Sequence, residues 1–300
     1  MNKKALVVGY GSIGKRHTRE LRNLGFEVDI VSSHAKKKKV NNLKDVADFS
    51  VYDCVVLSSE THLHERQYQW LCEKKYTGKM IVEKPVGFLL EEGNCVYPAY
   101  NLRFHGGVKK LKDELLDKSC IHAQMNISRH LPTMREGGRP YGESYSCSKA
   151  KGGGVLCDFS HDLDLLIHLF GPCKKLIAHG GKLSSLEGDS YDCVTLLCET
   201  EKCPSLCLHL DYVDHFPERT IKVSADEDSI YLNLDEHYYC SSKEEIQFDE
   251  DELEQSYVEQ LKAVLADDKK SLCSISDSNK TEKLIEAIEH SLETKVWVNL

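Results

Sequence analysis

The sequence predicts an α/β protein of two domains: residues 1–100 around a parallel sheet flanked by helices, and residues 101–300 around an open, mainly antiparallel or mixed sheet. Three observations carry that reading. The chain opens on an apolar run, a glycine turn, an amphipathic stretch and a second apolar run, "KALVVGYGSIGKRHTRELRNLGFEVDIVSS". Buried strands then alternate with helical stretches as far as Pro85. From about Lys175 onward, strands follow one another with short polar turns.

Each element has its own signal. In the opening stretch, Ile13, His17, Leu21 and Leu24 recur on one helical face, and Gly25 is a natural terminator. "DCVVLSS" (Asp53 to Ser59) reads as another buried strand, followed by the helical "THLHERQYQWLCEKK" with Thr61 as its N-cap. "KMIVEKP" is a further strand, stopped by Pro85. Strands joined in this way lie parallel through right-handed crossovers, and ligands sit at the carboxyl edge of such a sheet. After Asn101 the pattern changes. "CIHAQMNISR" alternates like a strand with one apolar face, and "KKLIAHGG", "CVTLLCE", "SLCLHLDY", "RTIKVSA" and "SIYLNL" follow as strands. Two helices, Glu252 to Leu265 and Lys280 to Leu292, close the chain.

Composition narrows the function classes. A net charge of −9 argues against general affinity for nucleic acid or acidic membranes, because phosphate binding needs a basic surface. The tract Lys36 to Lys39 is a local exception. The N-terminal apolar run is too short for a signal peptide, and no stretch approaches the ~20 apolar residues of a membrane span. A cytoplasmic location is the expectation. The thirteen cysteines are odd in number and form no CxxC. The densest group, Cys193, Cys198, Cys203 and Cys207, lies on a hairpin turning at Glu201 to Pro204. A separation of five puts Cys193 and Cys198 on opposite faces of a strand, which argues against a thiolate metal site. Reduced, mostly buried thiols are expected, and no metal.

"GYGSIG" is a G-x-G-x-x-G placed between a strand and a helix, the context the motif requires. Gly9 permits the tight turn, Gly11 lets a pyrophosphate approach the backbone, and Gly14 allows close helix packing. The helix N-terminus, with Ser12 and Ile13, attracts the anion. A Rossmann dinucleotide site follows. The second strand ends in Ser32, Ser33 and His34 where an NAD site usually has an acid, while Asp29 falls inside the strand. Hydroxyls and cations there suit a 2′-phosphate, so NADP is favoured and NAD remains possible. Glu83 and Lys84 follow a buried strand at the functional edge of the sheet, where a nicotinamide ring would lie.

"GGGVLCDFSHDLDLL" (Gly152 to Leu166) sets Asp158, His161, Asp162 and Asp164 within an apolar run. Taken alone, this is an amphipathic helix with acids on its wet face, since an unpaired buried charge is costly. The loop "ISRHLPTMREGGRPYGESYS" before it holds Arg129, Arg135 and Arg139 with Tyr141 and Tyr145. These arginines either pair with nearby glutamates or clamp an anionic substrate.

"GYGSIG", "SSETHLHE", "VEKP", "YNLRFH" and "GGGVLCDFSHDLD" occur in that order and at suitable distances over nearly the whole chain. Together they resemble the Gfo/Idh/MocA oxidoreductases, the relatives of glucose-fructose oxidoreductase and inositol dehydrogenase. The resemblance implies an N-terminal Rossmann domain and a C-terminal α/β domain whose open sheet builds a homodimer or homotetramer. It also implies an NAD(P)-dependent reaction at a hydroxyl or carbonyl carbon of a sugar-like small molecule. Lys84 matches the lysine of the family's E-K-P motif, and Asp158 and His161 match its acid and histidine; these are the implied catalytic residues. Implied cofactor positions are Gly9, Gly11, Ser12, Ile13, Gly14, Ser32, Ser33, His34, Ser58, Ser59, His62, Glu83 and Lys84. Substrate would meet Arg103, Arg135, Arg139, Tyr145, Asp158 and His161. The glycines would let the chain pass close to the cofactor, and one helix would present Asp158 and His161 beside Lys84.

There are two departures. Only Phe159 and Ser160 separate the acid from the histidine, where most members have three residues, although i and i+3 still share a helix face. Between Pro85 and Tyr100 the usual helix is missing, so the Rossmann half is abbreviated. The "SH"-acid variant resembles a subgroup of bacterial surface-sugar and nonulosonic acid pathways, which suggests an anionic or nucleotide-linked sugar. Two other classes share the cofactor: glycoside cleavage by transient oxidation and elimination, and a non-enzymatic dinucleotide sensor. The set Lys84, Asp158 and His161 counts against the sensor, because binding alone needs none of them.

Overall fold

The runs "ALVV", "CVVL" and "MIV" are covered on both faces: residues 5–8, 54–57 and 80–82 are each 3% exposed or less. Continuous burial of this kind is the mark of parallel strands covered on both sides. The computed structural model describes residues 3–32, 40–91, 93, 95–134 and 140–300. The chain divides into two units, Met1–Asn101 with Glu254–Asn279, and Leu102–Leu253 with Lys280–Leu300. The expected boundary at residue 100 falls beside the first crossing. The expected unbroken second domain, 101–300, is corrected: the segment Glu254–Asn279 returns to the first unit. Hydrogen bonds tie it there, from Asn101 to Ser256 (2.6 Å), from Tyr97 to Asp267 (2.7 Å), and from the Leu90 N–H to Asn279 (2.8 Å).

In the first unit, β1 (Lys4–Val8), α1 (Ser12–Asn23), β2 (Glu27–Val31), β3 (Cys54–Leu57), α2 (His64–Glu73), β4 (Lys79–Val82) and β5 (Val96–Pro98) follow in order. The five strands form one parallel sheet, ordered β2-β1-β3-β4-β5. Register sets Val31, Val8, Leu57 and Val82 in one row at the carboxyl ends. Ser32, Gly9, Ser58 and Glu83 therefore leave the sheet at the same edge. Thr61 is not a helix cap. It starts a 3₁₀ turn, Thr61–Leu63, that leads into α2, and Glu60 precedes that turn. No helix occurs among the described residues of 85–100.

The second unit continues with α3 (Gly106–Glu114), β6 (Cys120–Ser128), α4 (Leu131–Met134), α5 (Val155–Asp158), α6 (Ser160–Phe170), β7 (Cys173–Gly181), β8 (Cys193–Thr200), β9 (Leu206–Asp211), β10 (Glu218–Ala225), β11 (Asp228–Asn233), β12 (Tyr238–Cys240) and β13 (Glu245–Gln247). Helices α7 (Glu252–Ala266) and α8 (Ile275–Thr294) carry the chain out and back, and β14 (Val298–Asn299) ends it. Among the described residues, nine strands form a mixed sheet, β13-β12-β11-β10-β6-β9-β8-β7-β14, in which only β6 and β9 pair in parallel. Along β8, Val194, Leu196 and Cys198 are buried, while Leu197 between them is half exposed. Cys193 and Cys198 thus fall on opposite faces, as period-two alternation requires. All thirteen cysteines are thiols, as Cys120 shows by donating to the Cys203 sulfur at 3.0 Å.

Candidate functional site

The glycine turn joins β1 to α1. Gly9 takes φ +93°, and a Cβ built on it would lie 2.5 Å from the Ser58 carbonyl oxygen, so only glycine fits. A Cβ on Gly14 would lie 2.1 Å from the Gly9 carbonyl oxygen, which fixes how closely the helix follows the turn. Gly11 differs. It caps α1 with no side-chain hydrogen bond, and a Cβ there would meet nothing within 4 Å. The first N–H groups of a helix have no intrahelical acceptor, and the first turn of α1 holds no acid. An open, positively polarised helix end next to an unoccluded glycine fits a dinucleotide pyrophosphate.

Several expected cofactor contacts are spent inside the protein. The Ser58 hydroxyl donates to the carbonyls of Val8 (3.0 Å) and Gly9 (3.2 Å), so it braces the turn. The Ser59 hydroxyl donates to Gln67 at 2.7 Å. His62 is exposed, 3.7 Å from Glu60. Asp29 lies inside β2 and accepts a hydrogen bond from the Tyr52 hydroxyl at 2.8 Å. The Ser32 N–H reaches the Val40 carbonyl at 3.3 Å. Ser33, His34 and the lysine tract lie outside the described residues.

Glu83 corrects the expectation of a cofactor-facing acid. It is 5% exposed; its Oε1 lies 2.6 Å from His17 Nε2, and its Oε2 accepts the Lys84 N–H at 3.2 Å. Lys84 itself is half-buried at the sheet edge. Sequence reasoning placed His17 among the face-filling residues of α1 and missed its partner, although a histidine on an otherwise apolar face was a signal. A second buried histidine, His64, holds the same segment, with Nδ1 3.2 Å from the Pro85 carbonyl and Nε2 3.0 Å from that of Ser59. Burial lowers its pKa below the ordinary histidine value.

In the second unit the acid–histidine pair does not lie on one helix. Asp158 ends α5 and His161 lies in the first turn of α6, with Phe159 (φ −100°, ψ 24°) breaking the helix between them. Asp158 is 7% exposed and accepts three hydroxyls, from Tyr145 (2.8 Å), Ser146 (2.6 Å) and Tyr212 (2.6 Å). Phe159 meets Tyr212 edge-on at 5.5 Å. Tyr145, expected to meet substrate, thus orients its hydroxyl on Asp158. His161 is 8% exposed.

The wet-face reading of the remaining acids is overturned. Asp162 and Asp164 are each 1% exposed, and each meets an arginine. Arg103 donates Nε (2.8 Å) and Nη2 (2.6 Å) to the two oxygens of Asp164, a bidentate pair buried on both sides. Arg219 on β10 donates to Asp162 at 3.1 Å. Arg103 is therefore a clamp on α6, which corrects its assignment to substrate. Arg129 is likewise held by the carbonyls of Ser128 and Glu218 and by Asp235. The glycine triplet serves backbone packing: a Cβ on Gly153 would lie 2.1 Å from the Tyr145 carbonyl oxygen, and Gly154 takes φ +106°. Arg135 and Arg139 lie outside the described residues. Among the described residues no group of three or more His, Cys, Asp or Glu side chains could hold a metal, and no helix is long and apolar enough to cross a membrane.

No protein-family model matches the sequence, and no curated protein matches it. Solved structures do resemble the fold over the whole chain. GenD2 from gentamicin A biosynthesis, in complex with NAD, superposes with a TM-score of 0.83 at 17% identity, covering 100% of this chain and 96% of that one. Levoglucosan dehydrogenase in complex with NADH gives 0.83 at 14% identity, covering 100% and 99%. The myo-inositol 2-dehydrogenase of Lactobacillus plantarum gives 0.78 at 14% identity, covering all of both chains. The fold shared with these structures is thus a Rossmann-like parallel-sheet unit and a mixed-sheet unit.

Proposed function

We propose that this protein is a nicotinamide-dependent oxidoreductase that acts on a hydroxyl or carbonyl carbon of a sugar-like small molecule. The observation that carries the reading is the open Gly11 position at the N-terminus of α1, on the carboxyl edge of the parallel sheet. Support comes from the same fold in proteins solved with NAD and NADH. The N–H groups of Gly11, Ser12, Ile13 and Gly14 would hold the pyrophosphate, and Ser32, Ser33 and His34 the adenosine ribose. The absence of an acid from those three positions favours NADP over NAD, because an acid beside a 2′-phosphate is a like-charge contact.

When bound, the nicotinamide supplies a hydride acceptor or donor at C4. The chain supplies the proton chemistry. As a carbinol is oxidised, Lys84 or His161 takes the hydroxyl proton, and the other donates a hydrogen bond to the reacting oxygen. Asp158, with its three hydroxyl donors, fixes Tyr145, Ser146 and Tyr212 rather than exchanging protons. Arg135 and Arg139 suit a carboxylate or phosphate on the substrate, and a sugar acid or nucleotide sugar of a surface-sugar pathway fits that charge. We place the protein in the cytoplasm, as a homodimer or homotetramer built on the mixed sheet.

The test is a titration of purified protein with NADPH and NADH, followed by nicotinamide fluorescence, then incubation with neutral, acidic and nucleotide-linked sugars. Binding of a reduced or oxidised nicotinamide with net change in its redox state on adding one sugar class is the expected result. Failure of both cofactors to bind would overturn the assignment. Product formation without net cofactor turnover would replace it with oxidation–elimination.

A further inference from the structure

We propose that His17 is a positioning residue for Lys84, acting through Glu83; the inference rests on the part given to Lys84 above and deepens it. All the residues concerned belong to the first unit. His17 lies on α1, three residues beyond Gly14, and is 1% exposed. Its Nε2 stands 2.6 Å from Oε1 of Glu83. An ionised carboxylate accepts here, with Nε2 as the donor. Nδ1 is buried and has no hydrogen-bond partner among the described residues. A second proton there would be a buried donor with nothing to receive it, which is costly. The ring therefore makes its side-chain hydrogen bond through Nε2, to Glu83.

The other carboxylate oxygen accepts the Lys84 backbone N–H at 3.2 Å, and the Glu83 backbone N–H donates to the Leu57 carbonyl at 2.9 Å. The carboxylate thus folds back onto the backbone from which the lysine side chain departs, and its direction is set from α1. The imidazole is itself wedged. Tyr257 of α7 meets it edge-on at 6.1 Å, and the Arg16 guanidinium covers the same tyrosine at 4.6 Å. Arg16 is in turn paired with Glu254 at 2.5 Å. On the other side of Lys84, His64 of α2 holds the Pro85 carbonyl. The segment 83–85 is thus gripped by two buried histidines, one from each helix that follows a central strand. An apolar pair of similar volume would fill the place of His17 and Glu83 about as stably. What the hydrogen bond adds is direction, and the residue directed is Lys84.

Three variants test this: His17→Leu; His17→Gln, which keeps a side-chain N–H; and His17→Leu with Glu83→Leu, which removes both polar groups. The first readout needs neither cofactor nor substrate: the rate at which acetic anhydride acetylates Lys84, measured by peptide mass spectrometry against the exposed Lys44. The second is the split between kcat and KM on whichever sugar the screen above identifies, alongside thermal unfolding. In His17→Leu the Lys84 rate should change relative to Lys44, and kcat should fall ~10-fold to ~10²-fold, as a misplacement of about 1 Å does. His17→Gln should restore most of both. The double variant should be as stable as wild type yet remain slow.

A double variant with wild-type kcat and Lys84 reactivity would overturn the proposal and leave the pair purely structural. So would His17→Gln as slow as His17→Leu. Full turnover in Lys84→Ala would instead remove the reading on which the proposal rests. A slow Lys84→Ala beside a wild-type His17→Leu would sink the positioning role alone.

Discussion

Replacing Arg103 by methionine should destabilise the second unit by about 3–5 kcal/mol, the usual cost of breaking a buried ion pair. The structure sets that magnitude. Asp164 and Arg103 have side chains 1% and 3% exposed, and two charge-assisted hydrogen bonds of 2.8 and 2.6 Å join them. Each such bond contributes roughly 1.5–3 kcal/mol, so losing both gives a similar figure. Arg103→Met keeps the aliphatic stem but strips both bonds from a carboxylate that water does not reach. For a unit of this size the loss corresponds to a Tm roughly 6–20 °C lower. Urea unfolding followed by circular dichroism measures it. Adding Asp164→Leu should recover most of the stability, because the buried carboxylate that lost its guanidinium is then gone. Arg219→Met, whose partner bond is longer at 3.1 Å and whose side chain is 15% exposed, should cost less. A loss under about 1 kcal/mol in Arg103→Met, or a double variant weaker than the single one, would refute the claim that this pair neutralises a buried acid.

Lys84→Ala and His161→Ala should each lower kcat by ~10²-fold or more, the contribution of a positioned acid or base, with NAD(P)H affinity little changed in His161→Ala; steady-state kinetics with fluorescence titration check both. NADPH should bind more tightly than NADH in calorimetry, and Ser33→Asp should reverse the order by setting an acid against the 2′-phosphate. Stability should also fall at acid pH through Asp211. Burial alone would raise its pKa, but hydrogen bonds from His209, Ser128 and the backbone N–H groups of Asp214 and Val213 outweigh burial and hold it at about 2. The unfolded carboxylate titrates near ~3.9, so this contribution is fully present above that pH and is lost as pH falls towards 2. In Asp211→Asn, unfolding midpoints measured from pH 5 down to about 2 should lose that part of their slope.

Local pattern made most of the fold legible. The runs at residues 5–8, 54–57 and 80–82 are apolar throughout because both faces of a parallel sheet are covered, and the strands of the second unit alternate because one face is more open. The glycine turn was equally readable from the motif, since Gly14 packs on the nearby Gly9 carbonyl, although the close contact that excludes a side chain at Gly9 comes from distant Ser58. The division between the units was less so. Nothing in the periodicity of Glu252 to Leu292 says where a helix crosses from one unit to the other. That depends on distant partners such as Asn101 for Ser256 and Tyr97 for Asp267.

The acids of "SHDLDLL" show where sequence runs out. A charge in a helical run has two outcomes, solvation or pairing, and helix geometry does not choose between them. Residues 61 and 57 positions away chose: Arg103 for Asp164 and Arg219 for Asp162. His17 and Glu83, 66 positions apart, meet for the same kind of reason. Sequence alone determined which segments become strands and helices and where a glycine turn joins the first strand to the first helix, because those properties reside in neighbouring side chains and backbone angles. Only the tertiary structure decided which polar groups are spent on one another, because a hydrogen bond between distant residues exists only once the intervening chain has folded.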